Sequence, residues 1–320
     1  MSLVLSAFLL NDSLAQAQQK AKVTKTGWLV TAPGRLRVFE SYKKSLRALG
    51  YIEGKNFAFE YRFPEEGKLD RLPALADELV RLKVDVLVAI GAPAALAAKN
   101  ATKTIPIVFT TGGDPVVIGL IDSLARPGGN LTGFSNMSSE LAGKRLELLK
   151  DTVHKLSRVA VLWDPRVAGS TDEWKESLHP ARALGLQLHS LEVSSADKFE
   201  SAFKEAIKAR SAALSVTSSS VNNSNQKRIA DLAIKYRLPA ISRWGEFVAS
   251  GGLMSYGHNE AEQYKRMAYL IDRVLKGTNP ADLPVERPMG FELHMNLKTA
   301  DALKLTIPPI VLMRVTNVVK

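Results

Sequence analysis

Cysteine is absent from this chain of 320 residues. The chain therefore has no disulfide, no thiolate-ligated zinc, no iron–sulfur cluster and no thiol nucleophile. Histidine is scarce as well, with five copies whose spacing matches no metal-ligand pattern. We expect neither a metal nor a cofactor.

Catalytic motifs and membrane-spanning segments are also missing. The sequence contains no P-loop, no G-x-G-x-x-G, no H-E-x-x-H and no G-x-S-x-G. No apolar run approaches the roughly 18–20 residues that cross a bilayer. No catalytic residue is therefore indicated and we expect no enzyme, although a hydrolytic triad built from distant residues stays open.

The chain has no polybasic run, although Lys and Arg outnumber Asp and Glu by 43 to 32 and give a net charge of +11. The cations are dispersed through helix-like patterns, as at Lys43, Lys44 and Arg47. A solvated basic surface explains this dispersion better than a nucleic-acid interface does. We expect no nucleic-acid partner.

The N-terminus carries an apolar run, Ser2–Leu10, followed by the pattern Ala15-x-Ala17 that signal peptidase cleaves. No Lys or Arg precedes Lys20, so residues 1–17 resemble a truncated signal peptide, and a short amphipathic helix is the alternative. We expect a mature chain that begins near Gln18. Since no cysteine follows the apolar run, we expect a soluble, periplasmic form without a lipid anchor.

Short β-branched runs alternate with helix-length amphipathic stretches, and this alternation occurs twice. In the first half, strands such as Val84–Ile90 and Ile105–Thr110 alternate with helices, including one predicted over Val116–Leu124. The pattern restarts after a helix over Ser139–Val153, with strands such as Arg158–Trp163. Nearly continuous apolar strands separated by helices indicate parallel sheets covered on both faces. The sequence predicts an α/β fold with two doubly wound Rossmann-like lobes, and a single large sheet is the alternative.

The tail indicates how the lobes are joined. A helix over Glu260–Lys276, a strand over Phe291–Met295 and a helix over Leu297–Leu305 follow two complete lobes. The chain must therefore cross back between the lobes, which predicts a multi-crossover hinge and closure on a ligand like a clamshell. The predicted lobes are residues 23–135 plus 258–288 and residues 136–257 plus 289–320.

Candidate ligand residues lie where the predicted parallel strands end. Open α/β sheets bind ligands outside the carboxyl ends of their strands, where loops and helix N-termini present N–H groups. Here these loops are rich in glycine, proline, serine and threonine. The candidates are Thr31, Pro33, Gly91, Ala92, Pro93, Thr110, Thr111, Asp114, Trp163, Ser218, Ser219, Arg243, Trp244 and Tyr256.

Asp114 has two interpretations. It stands directly before Pro115 at the start of the predicted helix, where an aspartate is a good N-cap. Its carboxylate could instead bind an ammonium group of a ligand. Both interpretations stay open at this stage.

Several segments together resemble the ABC-transporter substrate-binding protein family that includes tryptophan- and tyrosine-type binding proteins. The longest is PIVFTTGGDPVVIGLIDSLARPGGNLTGFSN over residues 106–136, and further matches are Glu140–Asp151, Arg158–Pro165, Gly251–Gly257 and Leu283–Pro308. The resemblance implies the type I periplasmic-binding-protein fold and a monomer that delivers a small solute to an ABC permease with a separate ATPase subunit. Some members of the family bind aromatic or branched amino acids.

One position departs from the family pattern, and two other functions stay open. His258 stands where the family's SYGPN-like loop has proline, so the ligand contact there is in doubt. An enzyme using Asp114 and His258 across the cleft, or the ligand-sensing domain of a regulator, are the alternatives. If the solute is an amino acid, its carboxylate could bind the amides after Gly91 and around Thr110–Thr111. Further donors would be Ser218, Ser219 and Arg243.

Overall fold

Two β-sheets organise the chain. The computed structural model describes residues 23–31, 36–65, 68–136 and 139–319. The predicted signal peptide, residues 1–17, and the candidate residue Pro33 lie outside these ranges. Among the described residues, no helix has the length and apolar character needed to cross a membrane.

The first sheet has five parallel strands in the order β2-β1-β3-β4-β5. Strands β3, β4 and β5 are buried along their whole length, as expected for apolar strands covered on both faces. The elements are β1 Thr24–Val30, α1 Leu36–Ala48, β2 Phe57–Arg62, α2 Leu72–Arg81, β3 Val86–Ile90, α3 Ala92–Ala101, β4 Ile107–Thr111 and β5 Leu131–Ser135.

The predicted helix over Val116–Leu124 is wrong, because this segment forms a series of turns. Gly119 has φ +70°, which a right-handed helix does not accommodate. The backbone N–H groups of Leu120 and Ile121 both donate to the carbonyl of Pro115, so the regular i→i−4 ladder is not formed. The turns bury Leu120 and Ile121 in the first lobe instead.

The second sheet has seven strands in the order β12-β11-β10-β9-β8-β6-β7, and all neighbours are parallel except β10 and β11. Two short helices, Ser220–Ser224 and Pro309–Leu312, and the strand Asn317–Val319 were not predicted. The elements are α4 Ala142–Thr152, β6 Arg158–Trp163, α5 Ala168–Ala183, β7 Gln187–Glu192, α6 Phe199–Lys208, β8 Ala213–Val216, α7 Ser220–Ser224, α8 Gln226–Lys235, β9 Ala240–Ser242, α9 Gly245–Ala249, β10 Met254–His258, α10 Glu260–Leu275, β11 Phe291–Asn296, α11 Leu297–Ala302, α12 Pro309–Leu312 and β12 Asn317–Val319.

The core of each lobe lies on both faces of its sheet. In β1, Trp28 and Val30 belong to the cluster that includes α1 and α10, whereas Leu29 belongs to the cluster that includes α2 and α3. This alternation follows from the two-residue period of a strand. Strand β3 alternates in the same way, so helices cover both faces of the first sheet.

The hinge between the lobes contains three crossings. Helix α4 packs in the second lobe directly after β5 of the first. Helix α10 packs on the first sheet through residues such as Met267 and Ile271, although β10 and β11 on either side of it pair in the second sheet. Between α10 and β11, Glu286 binds the edge of β5 through Gly133 and Ser135. The predicted fold of two doubly wound lobes with a multi-crossover hinge is confirmed.

Candidate functional site

A cavity of about 60 Å³ lies between the carboxyl ends of the parallel strands of both sheets. This is the position at which open α/β sheets bind ligands. The structure brings most of the sequence-predicted candidates together in its lining. These residues are Thr31, Gly91, Ala92, Pro93, Thr110, Thr111, Ser218, Ser219, Arg243 and Trp244.

Sequence reasoning missed a second group of lining residues. Asn136 directly follows β5 and carries the same signal as the predicted residues, a polar side chain at a strand end. Glu173 and Gln263 lie inside α5 and α10, where a polar residue usually indicates a solvent-exposed face, so no sequence signal distinguished them. The missed lining residues are Gly112, Asn136, Val167, Gly169, Glu173, Ser220, Asn223 and Gln263.

Asp114 is placed outside this lining. Its Oδ1 accepts hydrogen bonds from the backbone N–H groups of Val116, at 2.8 Å, and Val117, at 3.5 Å. The carboxylate thus stabilises the turn that replaces the predicted helix. This geometry favours the capping interpretation of Asp114 over contact with a ligand.

Trp163 and Tyr256 also lie away from the cavity. The indole Nε1 of Trp163 donates to Ser190 Oγ at 2.7 Å, and its ring stacks on Trp174 with centroids 5.7 Å apart. Tyr256 packs in the second-lobe core, with its ring 6.1 Å from that of Phe291. Trp163 ends β6, whereas Tyr256 is the middle residue of β10, and both side chains pack within the second lobe.

Glu173 is one half of a buried ion pair at the wall of the cavity. Its Oε2 lies 2.9 Å from Nη2 of Arg145, and the two side chains are 3% and 1% exposed. Its Oε1 accepts from the backbone N–H of Ser218 at 3.2 Å. Burial lowers the pKa of Arg145, and the charge of Glu173 opposes that shift. The pair therefore holds a carboxylate in a fixed position beside the cavity.

Trp244 forms a flat aromatic wall of the cavity, in contrast to the charged carboxylate of Glu173. Its Nε1 donates to Asn223 Oδ1 at 2.9 Å, and Asn223 Nδ2 donates to Ser218 Oγ at 3.3 Å. The guanidinium carbon of Arg243 lies 3.7 Å from the centroid of the Trp244 ring, a cation–π contact. These contacts fix the orientation of the indole.

The start of α3 supplies backbone donors. Gly91 precedes the helix at φ +99°, a conformation that favours glycine, and it has no side chain with which to cap the helix. The first intrahelical bond runs from the N–H of Ala95 to Gly91 O, so the N–H groups of Ala92 and Ala94 have no helical acceptor. Together with the helix dipole, they suit a carboxylate.

His258 lies behind Arg243 and does not line the cavity. Its Nδ1 is 3.4 Å from Arg243 Nη2, and the residue is 5% exposed. Burial, reinforced by the charge of Arg243, lowers the pKa of His258 from 6.5 to about 3. The imidazole is therefore neutral at neutral pH.

The His258→Asn variant should be less sensitive to acid than the wild type. Between pH 6.5 and 3, the unfolded chain binds a proton at His258 that the folded protein does not bind, so stability falls as the pH drops. Protonation of His258 in the unfolded chain should lower the free energy of unfolding of the wild type by about 2 kcal/mol between pH 7 and pH 5. Urea unfolding of both proteins at both pH values should show that the variant loses about this much less stability than the wild type. An equal loss in both proteins would show that His258 titrates normally in the fold.

Metal ions have no evident place in this site. Within the part of the chain that the structure describes, no group of three or more His, Asp or Glu side chains could hold one. The cavity instead combines a fixed carboxylate, amide and hydroxyl groups, helix-start donors and an aromatic wall. This set can bind a small molecule that carries both charged groups and an apolar part.

The chain matches one protein family over most of its length. Residues 26–319 match the family model described as ABC transporter substrate binding protein. A curated relative, the tyrosine-binding protein of Clostridioides difficile strain R20291, is 28% identical over 294 residues, which are 92% of this chain and 84% of that protein.

Two solved structures are similar over nearly the whole chain. A conserved domain protein from Vibrio cholerae has a TM-score of 0.86 at 28% identity, with 93% of this chain and 100% of that one covered. An ABC domain in complex with L-Trp from Streptococcus pneumoniae has a TM-score of 0.84 at 25% identity, with 92% and 99% covered.

Proposed function

The chain belongs to the family of ABC transporter substrate binding proteins, and we propose that it captures an amino acid between its two lobes. An aromatic amino acid is the first candidate. One relative is a tyrosine-binding protein, and one similar structure holds L-Trp. The chain would bind its solute without turnover.

The observation that carries this proposal is the chemistry of the cavity lining. Glu173 is a carboxylate suited to an ammonium, and the start of α3 with the hydroxyls of Thr31 and Thr110 suits a carboxylate. The indole of Trp244 offers an apolar wall for a ring. These three features match the three parts of an aromatic amino acid.

The proposal includes a place and a partner. The protein would act outside the cytoplasm after export, as a monomer without a lipid anchor, and would deliver its solute to an ABC permease with a separate ATPase subunit. Family membership supports this partner. The lobes that close would be residues 23–135 plus 258–288 and residues 136–257 plus 289–320.

The alternative that the protein is an enzyme has less support, because its two candidate residues do not line the cavity. Asp114 binds turn N–H groups, and His258 lies behind Arg243. Neither side chain is among the residues that line the cavity.

Calorimetric titration tests the function. The protein is first unfolded to release any copurified solute and is then refolded for the titration. The panel contains L-tryptophan, L-tyrosine, L-phenylalanine, L-leucine and D-ribose. We expect saturable binding of at least one aromatic amino acid with unchanged ligand recovered afterwards, and no binding of D-ribose. At a hundred times the dissociation constant, the ligand should stabilise the fold by about 2.7 kcal/mol. A folded protein that binds none of the amino acids would contradict the proposal.

A further inference from the structure

Glu260 contacts elements on both sides of the hinge. It is the first residue of α10, which packs on the first sheet, at the crossing that follows β10. Its Oε1 accepts a hydrogen bond from the backbone N–H of Gly245 at 3.2 Å, and its Oε2 accepts one from Tyr264 Oη, also at 3.2 Å. Gly245 begins α9, which packs in the second-lobe core through Phe247. A single carboxylate therefore connects α10 with the start of α9.

The start of α9 needs an acceptor from elsewhere in the chain. The first N–H groups of a helix have no acceptor within the helix. The residue that precedes α9 is Trp244, and an indole offers a donor but no acceptor, so Trp244 cannot cap the helix. Glu260 supplies the acceptor from another helix. Its bond to the Gly245 N–H fixes the peptide that joins Trp244 to α9.

That peptide adjoins two residues of the ligand cavity. Arg243 and Trp244 line the cavity of about 60 Å³, and the Arg243 guanidinium lies over the Trp244 ring. A second cavity, of about 390 Å³, has Arg243, Gly245 and Glu260 in its lining. Arg243 therefore belongs to the walls of both cavities. Glu260 reaches the ligand cavity through this segment of backbone, from the hinge side.

Glu260 carries a charge that the fold disfavours. Burial raises the pKa of its carboxyl group, and the charge of Arg243 opposes that shift. A raised pKa means that the ionised form is less stable in the folded protein than in water. Perturbed ionisable groups of this kind are concentrated at functional sites. The other ionisable side chains around it are Arg243, Glu246, His258, Tyr264, Glu292 and His294.

We propose that Glu260 is a positioning residue of the ligand cavity, whose ionised carboxylate holds Arg243 and Trp244 in the arrangement that binds the amino acid. This role rests on the proposed function, and Glu260 acts through the backbone rather than by touching the solute. An ionised acceptor forms a stronger hydrogen bond than a neutral one. Protonation of Glu260 should therefore loosen the segment before α9, so affinity should fall as the pH drops through the pKa of this residue.

The hydrogen bond itself is testable without a ligand. In ¹⁵N-labelled protein, the chemical shift of the Gly245 amide proton reports the strength of its bond to the carboxylate. On acidification from neutral pH, this shift should follow a titration whose midpoint lies above 4.5, the ordinary pKa of a glutamate. The titration should vanish in Glu260→Gln and persist in Glu262→Gln. A Gly245 amide that does not respond to the Glu260 substitution would overturn the proposal.

Calorimetry with L-tryptophan and L-tyrosine tests the effect on binding. Glu260→Gln keeps an acceptor for Gly245 and a hydrogen-bonding group for Tyr264 but carries no charge. At neutral pH its affinity for the amino acid should be about 5- to 10-fold lower than that of the wild type, the difference between hydrogen bonds to charged and to neutral acceptors. Wild-type affinity should approach that of the variant in mild acid, whereas the variant's affinity should not change over the same range.

Stability separates positioning from a purely structural role. Because Glu260→Gln removes a charge that burial disfavours, the melting temperature of the ligand-free variant at neutral pH should equal or exceed that of the wild type. Glu262→Gln is the matched control, since Glu262 lies in the same first turn of α10 and the substitution removes the same charge. This control should bind the amino acid like the wild type. Equal losses of affinity in the two variants would assign the effect to the charge at the start of α10 and overturn the proposal.

Two further results would overturn the positioning role. One is that Glu260→Gln and Glu260→Ala, which removes both hydrogen bonds, bind the amino acid as tightly as the wild type. The other is that melting temperature and affinity fall together in Glu260→Gln. Failure of the proposed function gives a different result, because the wild type would then bind neither amino acid while the Gly245 amide still titrates with Glu260. The role in binding would fall with that function.

Discussion

Replacing Arg145 by methionine should lower the free energy of unfolding by about 3–5 kcal/mol. The substitution leaves the Glu173 carboxylate, 3% exposed, without the cation that lies 2.9 Å away. An unpaired buried charge is among the most costly defects in a protein core. Urea unfolding at neutral pH measures the loss.

The neighbouring residue on the same helix provides a matched control. Lys144 pairs with Glu147 at 2.6 Å, but both side chains are 38% exposed. Exposed pairs contribute about 0–1 kcal/mol, so Lys144→Met should change stability by less than 1 kcal/mol. Equal effects of the two substitutions would show that burial does not set the strength of the Arg145–Glu173 pair.

Replacing Gly257 by alanine should damage both stability and binding. A Cβ at this position would lie 2.3 Å from the backbone oxygen of Arg243, a distance that real contacts do not reach. The strand β10 or the segment before α9 must therefore shift, and overpacking of this kind costs about 1–3 kcal/mol. Because Arg243 and Trp244 line the cavity, the shift should also weaken binding of an amino acid. Thermal unfolding and calorimetric titration measure the two effects.

Gly290 is the control for this prediction. It lies just before β11, the strand that pairs with the Gly257 strand β10, and a Cβ there would meet no atom within 4 Å. Gly290→Ala should change stability by no more than about 0.5 kcal/mol and should leave affinity unchanged. A Gly257→Ala variant that behaves like Gly290→Ala would show that the backbone near Arg243 adapts without cost.

Much of the fold could be predicted from the sequence because both sheets are covered on both faces. Strands such as β3 and β6 are short apolar runs bounded by polar turns, and β6 has the predicted limits Arg158–Trp163. The segment after β4 could not be predicted in this way. Its valines, isoleucines and leucines have helix-like spacing, but Gly119 at φ +70° directs the chain into turns.

The candidate site could be predicted in part, for a topological reason. Residues at the carboxyl ends of parallel strands meet at one edge of a sheet, so Ser218 and Arg243, which follow the neighbouring strands β8 and β9, could be placed near each other from strand order alone. Glu173 and Gln263 could not, because their positions in the cavity depend on the rotation of α5 and α10 about their axes. That rotation is set by the packing of each helix within its own lobe, which one sequence does not display.

A distance measurement between spin labels tests most directly whether a solute is captured between closing lobes. The chain has no cysteine, so two introduced cysteines carry the labels without background. Val117→Cys, at a position 81% exposed in the first lobe, pairs with Ala168→Cys, at an exposed position beside the cavity in the second. Val117→Cys with Lys55→Cys, both in the first lobe, is the control. With a saturating aromatic amino acid, the distance between the lobes should shorten and its distribution should narrow, while the control distance stays constant. An unchanged distance between the lobes at saturation would contradict capture by closure.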